Sequence, residues 1–243
     1  MAHLYLSATP GPWAIGDTLT LTGDEAHHAA RVGRLALGET TAVGDGKGAM
    51  ASAVVAAVSG SEVVLKITAV EHRSLATPEI WLAQALAKGD RDELAIQAST
   101  ELGIDRVIPY EASRSISTWK GDKVDKGVAR WTKIVTEATK QALRAFIPQV
   151  TPPHTTAQLC ALARECQMVV LDPLATEGLS QFRPAGDHPI LLVVGPEGGL
   201  APEELSALEK SGATRRKLGE SVLRTSSAGP AALAVLNVTL GRW

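Results

Sequence analysis

Several residue types and patterns are scarce in this sequence of 243 residues. Its two cysteines, Cys160 and Cys166, are too few for a disulfide scaffold and fit a reducing compartment. Aromatic residues make up 4% of the chain, so Ala, Val, Leu and Ile must build most of the core. No apolar run approaches the roughly 20 residues that span a bilayer, and the first residues lack the basic and apolar regions of a secretory signal. We therefore expect a cytoplasmic protein with no membrane partner.

The residue patterns of several enzyme classes are also missing. The six histidines are scattered without the spacing of metal ligands, which predicts no metal site. We find no Ser-His-Asp set and no cysteine with a nearby histidine. The glycine-rich loops contain neither G-x-G-x-x-G nor GKS or GKT, which argues against a Rossmann-type nucleotide enzyme. Because the net charge is −2, any sign of nucleic-acid binding must be local.

The 45% of hydrophobic residues suffice for a buried core, and their pattern changes once along the chain. Up to about residue 73, short segments rich in Val and Thr alternate with turns, which predicts a small barrel or sandwich. Within it, 23–38 is expected to form a short helix capped by Asp24. From about residue 79, strands alternate with helices, which predicts an α/β domain with a parallel sheet. We expect domains at 1–73 and 74–243.

Basic residues are concentrated between residues 113 and 147, where eight Lys or Arg face three Asp or Glu. Much of this segment, 127–146, has the apolar stripe of a long amphipathic helix. Phosphate contacts dominate nucleic-acid affinity and need such clusters, so the segment is a candidate RNA surface. The same charges also fit the solvated face of a helix, and charge alone leaves both interpretations open.

Three loops at the ends of predicted strands could form a site. VVGPEGGL at 193–200 ends an apolar strand in glycines that permit close backbone approach, and Pro196 stiffens the loop. KLGESVLRTSSA at 217–228 leads into a helix at 228–242, which Thr225 or Ser226 could cap. VLDPL at 170–174 is a strand stopped by proline. Since ligands of parallel sheets bind at the carboxyl ends of strands, we expect one pocket, although each loop also fits an ordinary turn.

Taken in this order, these segments resemble the SPOUT-class methyltransferases. More closely, the chain resembles the RsmE-type family, which methylates N3 of one uridine in small-subunit (16S) ribosomal RNA. The pair GPEGGL and LGESVLRTSSA, at 195–200 and 218–228, carries most of the specificity. DEAHHAARVGRLALGE at 24–39 and ELGIDRVIPYEASRS at 101–115 extend the resemblance, and VGDGKG and KIVTEATKQALRAFIP continue it. It covers almost the whole chain.

The resemblance implies a fold and a cofactor. Residues 1–73 would form a PUA-like β-barrel for RNA docking, and 74–243 a SPOUT α/β domain with a deep trefoil knot. S-adenosylmethionine would bind in the knot, and the protein would be a homodimer that acts on 16S ribosomal RNA or the small ribosomal subunit. The implied cofactor-binding residues are Leu171, Gly195, Pro196, Gly198, Gly199, Leu218, Gly219, Val222 and Leu223.

Candidate catalytic and RNA-binding residues follow from the chemistry of methyl transfer to uridine. N3 must lose a proton, and a cationic donor such as Arg224 would stabilise the resulting anion. Glu197 could orient its loop or accept a proton. Alternatively, it is simply an acid near the start of a helix, where the positive end of the helix dipole favours negative charge. The candidate RNA-binding residues are Arg114, Lys133, Lys140 and Arg144.

The chain departs from the family at two places. Ser226 stands where many relatives carry an acid, and Val32-Gly33-Arg34 replaces a bulkier apolar pair. Two alternatives stay open: a SPOUT ribose 2′-O-methyltransferase, and a non-catalytic RNA-binding assembly factor.

Overall fold

The computed structural model describes residues 3–243, so the first two residues of the predicted domain 1–73 lie outside the described part of the chain. The described residues separate into two compact units. One comprises 3–75 together with Thr139–Ile147, and the other comprises Ala76–Ala138 and Pro148–Trp243. Each unit has its own sheet and its own core.

The first unit is built on a curled sheet. Its strands are β1 (Leu4–Leu6), β2 (Thr18–Thr22), β3 (Thr40–Gly44), β4 (Ala49–Val58) and β5 (Glu62–His72). They lie in the order β1-β3-β4-β5-β2, with β1 and β3 parallel and the other neighbours antiparallel. In β2, Leu19 and Leu21 are buried while the threonines are exposed, because only one face is covered. Two register shifts in β4 bend the sheet.

The helix predicted at 23–38 is shorter than expected. Helix α1 covers Gly23–His27, and a π-helical segment continues through His28–Val32. At Gly33 the chain passes so close to Tyr5 that an added Cβ would lie 2.2 Å from the phenol oxygen. Glycine at this place therefore permits the close approach.

The second unit contains a sheet of six strands. They are β6 (Ile80–Ala85), β7 (Arg106–Tyr110), β8 (Gln149–Val150), β9 (Gln167–Leu171), β10 (Ile190–Val194) and β11 (Thr214–Arg216). All neighbours are parallel, in the order β11-β9-β10-β6-β7-β8. Strands β6 and β10 are buried along their whole length. The predicted α/β domain with a parallel sheet is confirmed.

Helices cover both faces of this sheet. They are α2 (Arg91–Glu101), α4 (Thr156–Leu162), α5 (Pro202–Lys210) and α6 (Thr225–Thr239). Helix α3 (Lys123–Gln141) begins in this unit, and its last residues belong to the first. Leu159 of α4 and Leu208 of α5 pack in one core with Ala83 of β6 and Val193 of β10. On the opposite face, α6 approaches β6 so closely that a Cβ on Gly229 would lie 3.2 Å from Leu82. None of the helices between residues 3 and 243 is both long and apolar enough to cross a membrane.

Helix ends differ from the predictions. Helix α3 begins before the predicted 127–146 and ends at Gln141, shortly before Leu143 adopts a positive φ of 53°. Its buried stripe, which includes Trp131 and Val135, is as predicted. Sequence reasoning missed α4, although Thr155 forms a capping box with Gln158 that was a usable signal.

Two predicted helix caps are wrong. The residue before α1 is Thr22 rather than Asp24, and it forms no side-chain cap bond. Helix α6 begins at Thr225, three residues earlier than predicted, and its N-cap is Arg224. Thr225 and Ser226 therefore lie in the first helical turn instead of capping it, and the Thr225 hydroxyl is engaged elsewhere.

Candidate active site

A cavity of about 660 Å³ lies where β9, β10 and β11 end. This volume is typical of sites for small molecules. The three predicted loops line this one cavity, which confirms the prediction that they form a single pocket. Every residue predicted to bind the cofactor lies in its wall, namely Leu171, Gly195, Pro196, Gly198, Gly199, Leu218, Gly219, Val222 and Leu223. Arg114, Glu197 and Arg224 line it as well.

The loop after β10 forms a wall made largely of backbone. A Cβ on Gly195 would lie 3.2 Å from Cγ of Leu200, which is a tight contact. Gly199 has a φ of +68°, and its N–H donates to the carbonyl of Pro196 at 2.9 Å. The turn therefore needs glycine at Gly199 and has little space for a side chain at Gly195.

A hydrogen bond joins this loop to the start of α6. The hydroxyl of Thr225 donates to the carbonyl oxygen of Gly195 at 2.9 Å. The same hydroxyl oxygen accepts from Nε2 of Gln84 on β6 at 2.8 Å. Sequence reasoning missed Gln84, although a glutamine within the apolar strand Ile80–Ala85 was a visible signal.

Glu197 is held by the chain around it. Its Oε1 accepts from Nη1 of Arg91 at 2.7 Å and from the backbone N–H of Lys88 at 3.2 Å. Burial alone would raise the pKa of Glu197, but its backbone hydrogen bonds and Arg91 together lower it below the ordinary value. The arrangement favours the first of the two predicted roles, in which Glu197 orients the loop.

The other carboxylate in the cavity wall is also engaged. Asp172, at the end of β9, accepts from Nε of Arg215 at 2.7 Å and from the N–H of Leu174 at 2.9 Å. Among the lining residues of the described chain, Asp172 and Glu197 are the only acids. Ser226 is not one of the lining residues.

Two arginines at the cavity differ in their bonds. Nη1 of Arg114 donates to the carbonyl of Gly198 at 3.1 Å. Arg224 is exposed, and its guanidinium makes no hydrogen bond or ion pair with any residue from 3 to 243. The Arg224 donors are therefore open to a ligand in the cavity.

A buried carboxylate anchors the segment that carries Arg114. Glu204 on α5 is only 7% exposed, and it accepts from the N–H and the hydroxyl of Ser113 at 2.9 and 2.7 Å. It also accepts from the N–H of Ala201 and the hydroxyl of Tyr110. Burial alone would raise the pKa of Glu204, but the N–H groups of Ala201 and Ser113 and the hydroxyls of Ser113 and Thr156 lower it.

The remaining RNA-binding candidates have different surroundings. Lys133 is exposed on α3, and Arg144 is half-buried beyond the end of that helix. The Lys140 side chain is only 4% exposed, which argues against the predicted RNA contact of this residue. Its Nζ lies 2.5 Å from Oε1 of Glu25 on α1, within the first unit. The charge count did not reveal this pairing.

Comparisons with known proteins agree with this geometry. Residues 74–237 match the family model of an RNA methyltransferase domain, and residues 21–68 match that of an RNA methyltransferase PUA domain. The ribosomal RNA small subunit methyltransferase E of Mycobacterium bovis is 37% identical over 98% of this chain and 92% of that protein. The chain belongs to the ribosomal RNA small subunit methyltransferase E family. The family resemblance seen in the motifs is thereby confirmed.

Solved structures related to the methyltransferase E family have the same fold. A methyltransferase from Legionella pneumophila in complex with S-adenosylmethionine has a TM-score of 0.87 and 29% identity, with 98% of both chains covered. The methyltransferase E of Neisseria gonorrhoeae, bound to S-adenosylmethionine, has a TM-score of 0.86 and 27% identity, again with 98% of both chains covered. The likeness therefore extends over both units.

Proposed function

We propose that this chain is an S-adenosylmethionine-dependent methyltransferase that acts in the cytoplasm on N3 of one uridine in 16S ribosomal RNA. One observation carries the proposal: the nine residues that the family resemblance assigns to the cofactor line a single cavity. The Neisseria gonorrhoeae relative, which is similar over 98% of this chain, binds S-adenosylmethionine.

The cavity wall suits this cofactor. Leu171, Leu218 and Leu223 offer apolar surface for an adenine ring, while Gly195 and Gly199 leave backbone groups for polar contacts. A side chain at Gly195 would crowd Leu200. When bound, S-adenosylmethionine supplies a methyl group activated by the positive charge of its sulfonium.

The chain itself contributes positioning and charge. Holding a nucleophile in line with a methyl group can supply ~7–11 kcal/mol of a barrier. The unengaged guanidinium of Arg224 donates to O2 or O4 of the uracil ring, which stabilises the negative charge left when N3 loses its proton. Since N3 is occupied in a base pair, the target uridine must be unpaired or flipped out.

The N3 proton passes to water rather than to a carboxylate of the cavity wall. Both lining acids, Asp172 and Glu197, are occupied by arginines and backbone donors, and the pKa of Glu197 is lowered. Ser226 offers no carboxylate. We therefore expect the rate to rise with pH as more uridine ionises.

The RNA is held by Arg114, Lys133 and Arg144 and by a PUA-like barrel at 1–73. Lys140 is left out of this set because it is buried against Glu25. Arg114 lies in the cavity wall, so a phosphate bound there would place the neighbouring nucleotide near Arg224.

We also propose that the domain at 74–243 is a SPOUT domain with a trefoil knot. Strand β11 lies at an edge of the sheet, yet the next helix, α6, packs on the central strands β6 and β10. Helix α6 also packs against the 3₁₀ turn Leu179–Gln181, which belongs to the connection between β9 and β10. A return of the chain past this connection supports a knot.

The working form would be a homodimer. Near the end of α6, Val238 and Trp243 are each 64% exposed, and together with Val235 they line a shallow apolar groove. Apolar surface of this kind, within the same domain as the cavity, supports contact with a second copy of the chain.

Nucleoside mass spectrometry of 16S ribosomal RNA tests the proposed function. RNA from cells lacking the protein should lose one 3-methyluridine, and purified protein with S-adenosylmethionine should restore it on small subunits or free RNA. A missing 2′-O-methyl nucleoside would instead identify a ribose methyltransferase. Unchanged modification would contradict the proposed function and favour the non-catalytic assembly factor.

A further inference from the structure

A short chain of hydrogen bonds runs from the middle of the parallel sheet to the cavity. Nε2 of Gln84, which is fully buried on β6, donates to Oγ1 of Thr225 at 2.8 Å and to the carbonyl of Ala85 at 3.2 Å. Because the Ala85 carbonyl can only accept, the amide nitrogen of Gln84, rather than its oxygen, must face Ala85 and Thr225. The Thr225 hydroxyl thus accepts from Gln84 and gives its own proton to the Gly195 carbonyl at 2.9 Å. The direction of each bond is defined.

Packing alone does not explain a glutamine at this place. Strand β6 is buried at every position, and its other residues are apolar. Oε1 of Gln84 has no hydrogen-bond partner among the described residues, and an unpartnered buried oxygen is unfavourable. A leucine would fill similar volume without this penalty, so the glutamine must contribute through the bond that its amide donates.

The bonds join two segments that the proposed function uses in different ways. Gly195 begins the loop that forms the backbone wall of the cofactor cavity. Thr225 follows Arg224 directly, so fixing the Thr225 hydroxyl also fixes the start of α6 from which Arg224 extends. The Thr225 hydroxyl therefore links the two segments. Because it accepts a hydrogen bond from Gln84, its own proton is directed to the Gly195 carbonyl.

Resting on the proposed function, we infer that Gln84 is a positioning residue that sets the cofactor loop and the Arg224 segment relative to each other through Thr225. It does not touch the ligand. Its removal should weaken cofactor binding and transfer even where the fold persists.

Calorimetric titration of S-adenosylmethionine into the full chain tests this inference. Gln84→Leu should raise the Kd by about tenfold, the effect of losing one such bond. Thr225→Val should do the same, and the double variant should bind no worse than either single variant because both changes break one chain of bonds. Thr225→Ser keeps the hydroxyl and should restore affinity close to that of the wild type.

Asn237→Leu is the matched control. Asn237 is 2% exposed near the other end of α6, where its Nδ2 donates to the carbonyl of Leu102 at 2.8 Å. Its loss should lower the Tm, because the Leu102 carbonyl loses its donor, yet leave the Kd unchanged. The Kd therefore reports positioning, whereas the Tm reports packing.

Two results would overturn the inference alone. One is wild-type affinity in a folded Gln84→Leu variant, and the other is additive losses in the double variant. If Gln84→Leu fails to fold, wild-type affinity in Thr225→Val would overturn it equally. If the wild-type protein itself does not bind S-adenosylmethionine, the proposed function is wrong as well. The results named above overturn only the role of Gln84, so the two failures can be told apart.

Discussion

The two sheets of this protein present their residues in different ways. In the first unit most neighbours are antiparallel, so loops alternate between opposite edges, and side chains such as Leu19 and Thr20 alternate between core and solvent. In the second unit every strand runs the same way, and the loops after β9, β10 and β11 meet at one edge. A parallel sheet can therefore enclose a ligand with backbone atoms, whereas the other sheet offers a surface of side chains.

Buried polar groups also have different roles in the two units. In the second unit, Gln84 and Glu204 are buried beside segments that reach the cavity. In the first unit, the ion pair between the buried Lys140, in the last turn of α3, and the partly buried Glu25 ties the end of α3 to α1. Changes in the second unit should thus alter binding or catalysis, and changes at the pair in the first unit should alter stability.

The largest effect is expected for Arg224→Ala. Loss of a donor that stabilises developing negative charge should lower the rate of methyl transfer by about 10²–10³-fold. The Kd for S-adenosylmethionine should change little, since the donor is aimed at the base. Transfer of labelled methyl groups to 16S ribosomal RNA measures the rate, and wild-type turnover would remove Arg224 from the mechanism.

Lys140→Met should mainly destabilise the first unit. It leaves Glu25, whose side chain is 23% exposed, without its cation but with the backbone N–H of Leu6, and we expect a loss of about 1–3 kcal/mol in the free energy of unfolding. Adding Glu25→Gln should recover part of the loss. Chemical denaturation measures both variants. If Lys140→Met instead lowered RNA affinity at unchanged stability, the lysine would be an RNA contact after all.

Glu204→Gln should lower stability by about 1–3 kcal/mol at neutral pH, because the amide cannot accept all the bonds of the carboxylate. The folded pKa of Glu204 is lowered, so its stabilisation is present above the unfolded pKa and is lost as the pH falls through the folded one. The difference between wild type and variant should therefore shrink in acid. A constant difference across the acid range would contradict this assignment.

The smallest effect is expected for Lys133→Glu. Removing one exposed phosphate contact should weaken RNA binding several-fold and lower the salt slope by roughly one. Lys210→Glu, an exposed lysine on α5 outside the basic segment, is the control and should leave both unchanged. An equal effect of the two variants would assign Lys133 to a solvated face of α3.

Sequence patterns predicted the parallel sheet and the cavity because both depend on local signals. An apolar run such as Ile190–Val194 indicates a buried strand, and glycine with proline marks the loop that follows it. The burial of Lys140 was not predictable, because its partner Glu25 is distant in sequence. Strand β11, Thr214–Arg216, was not predictable either, because its three polar residues show no alternation or run of apolar side chains.

The account depends most on the claim that one cavity holds the methyl donor beside Arg224. A crystal structure of the protein soaked with S-adenosylmethionine tests it directly. We expect the donor between the loops at Gly195, Leu171 and Leu218, with its methyl group toward the open space before Arg224. Density for the donor at any other place, or a cavity closed by its own side chains, would contradict the account.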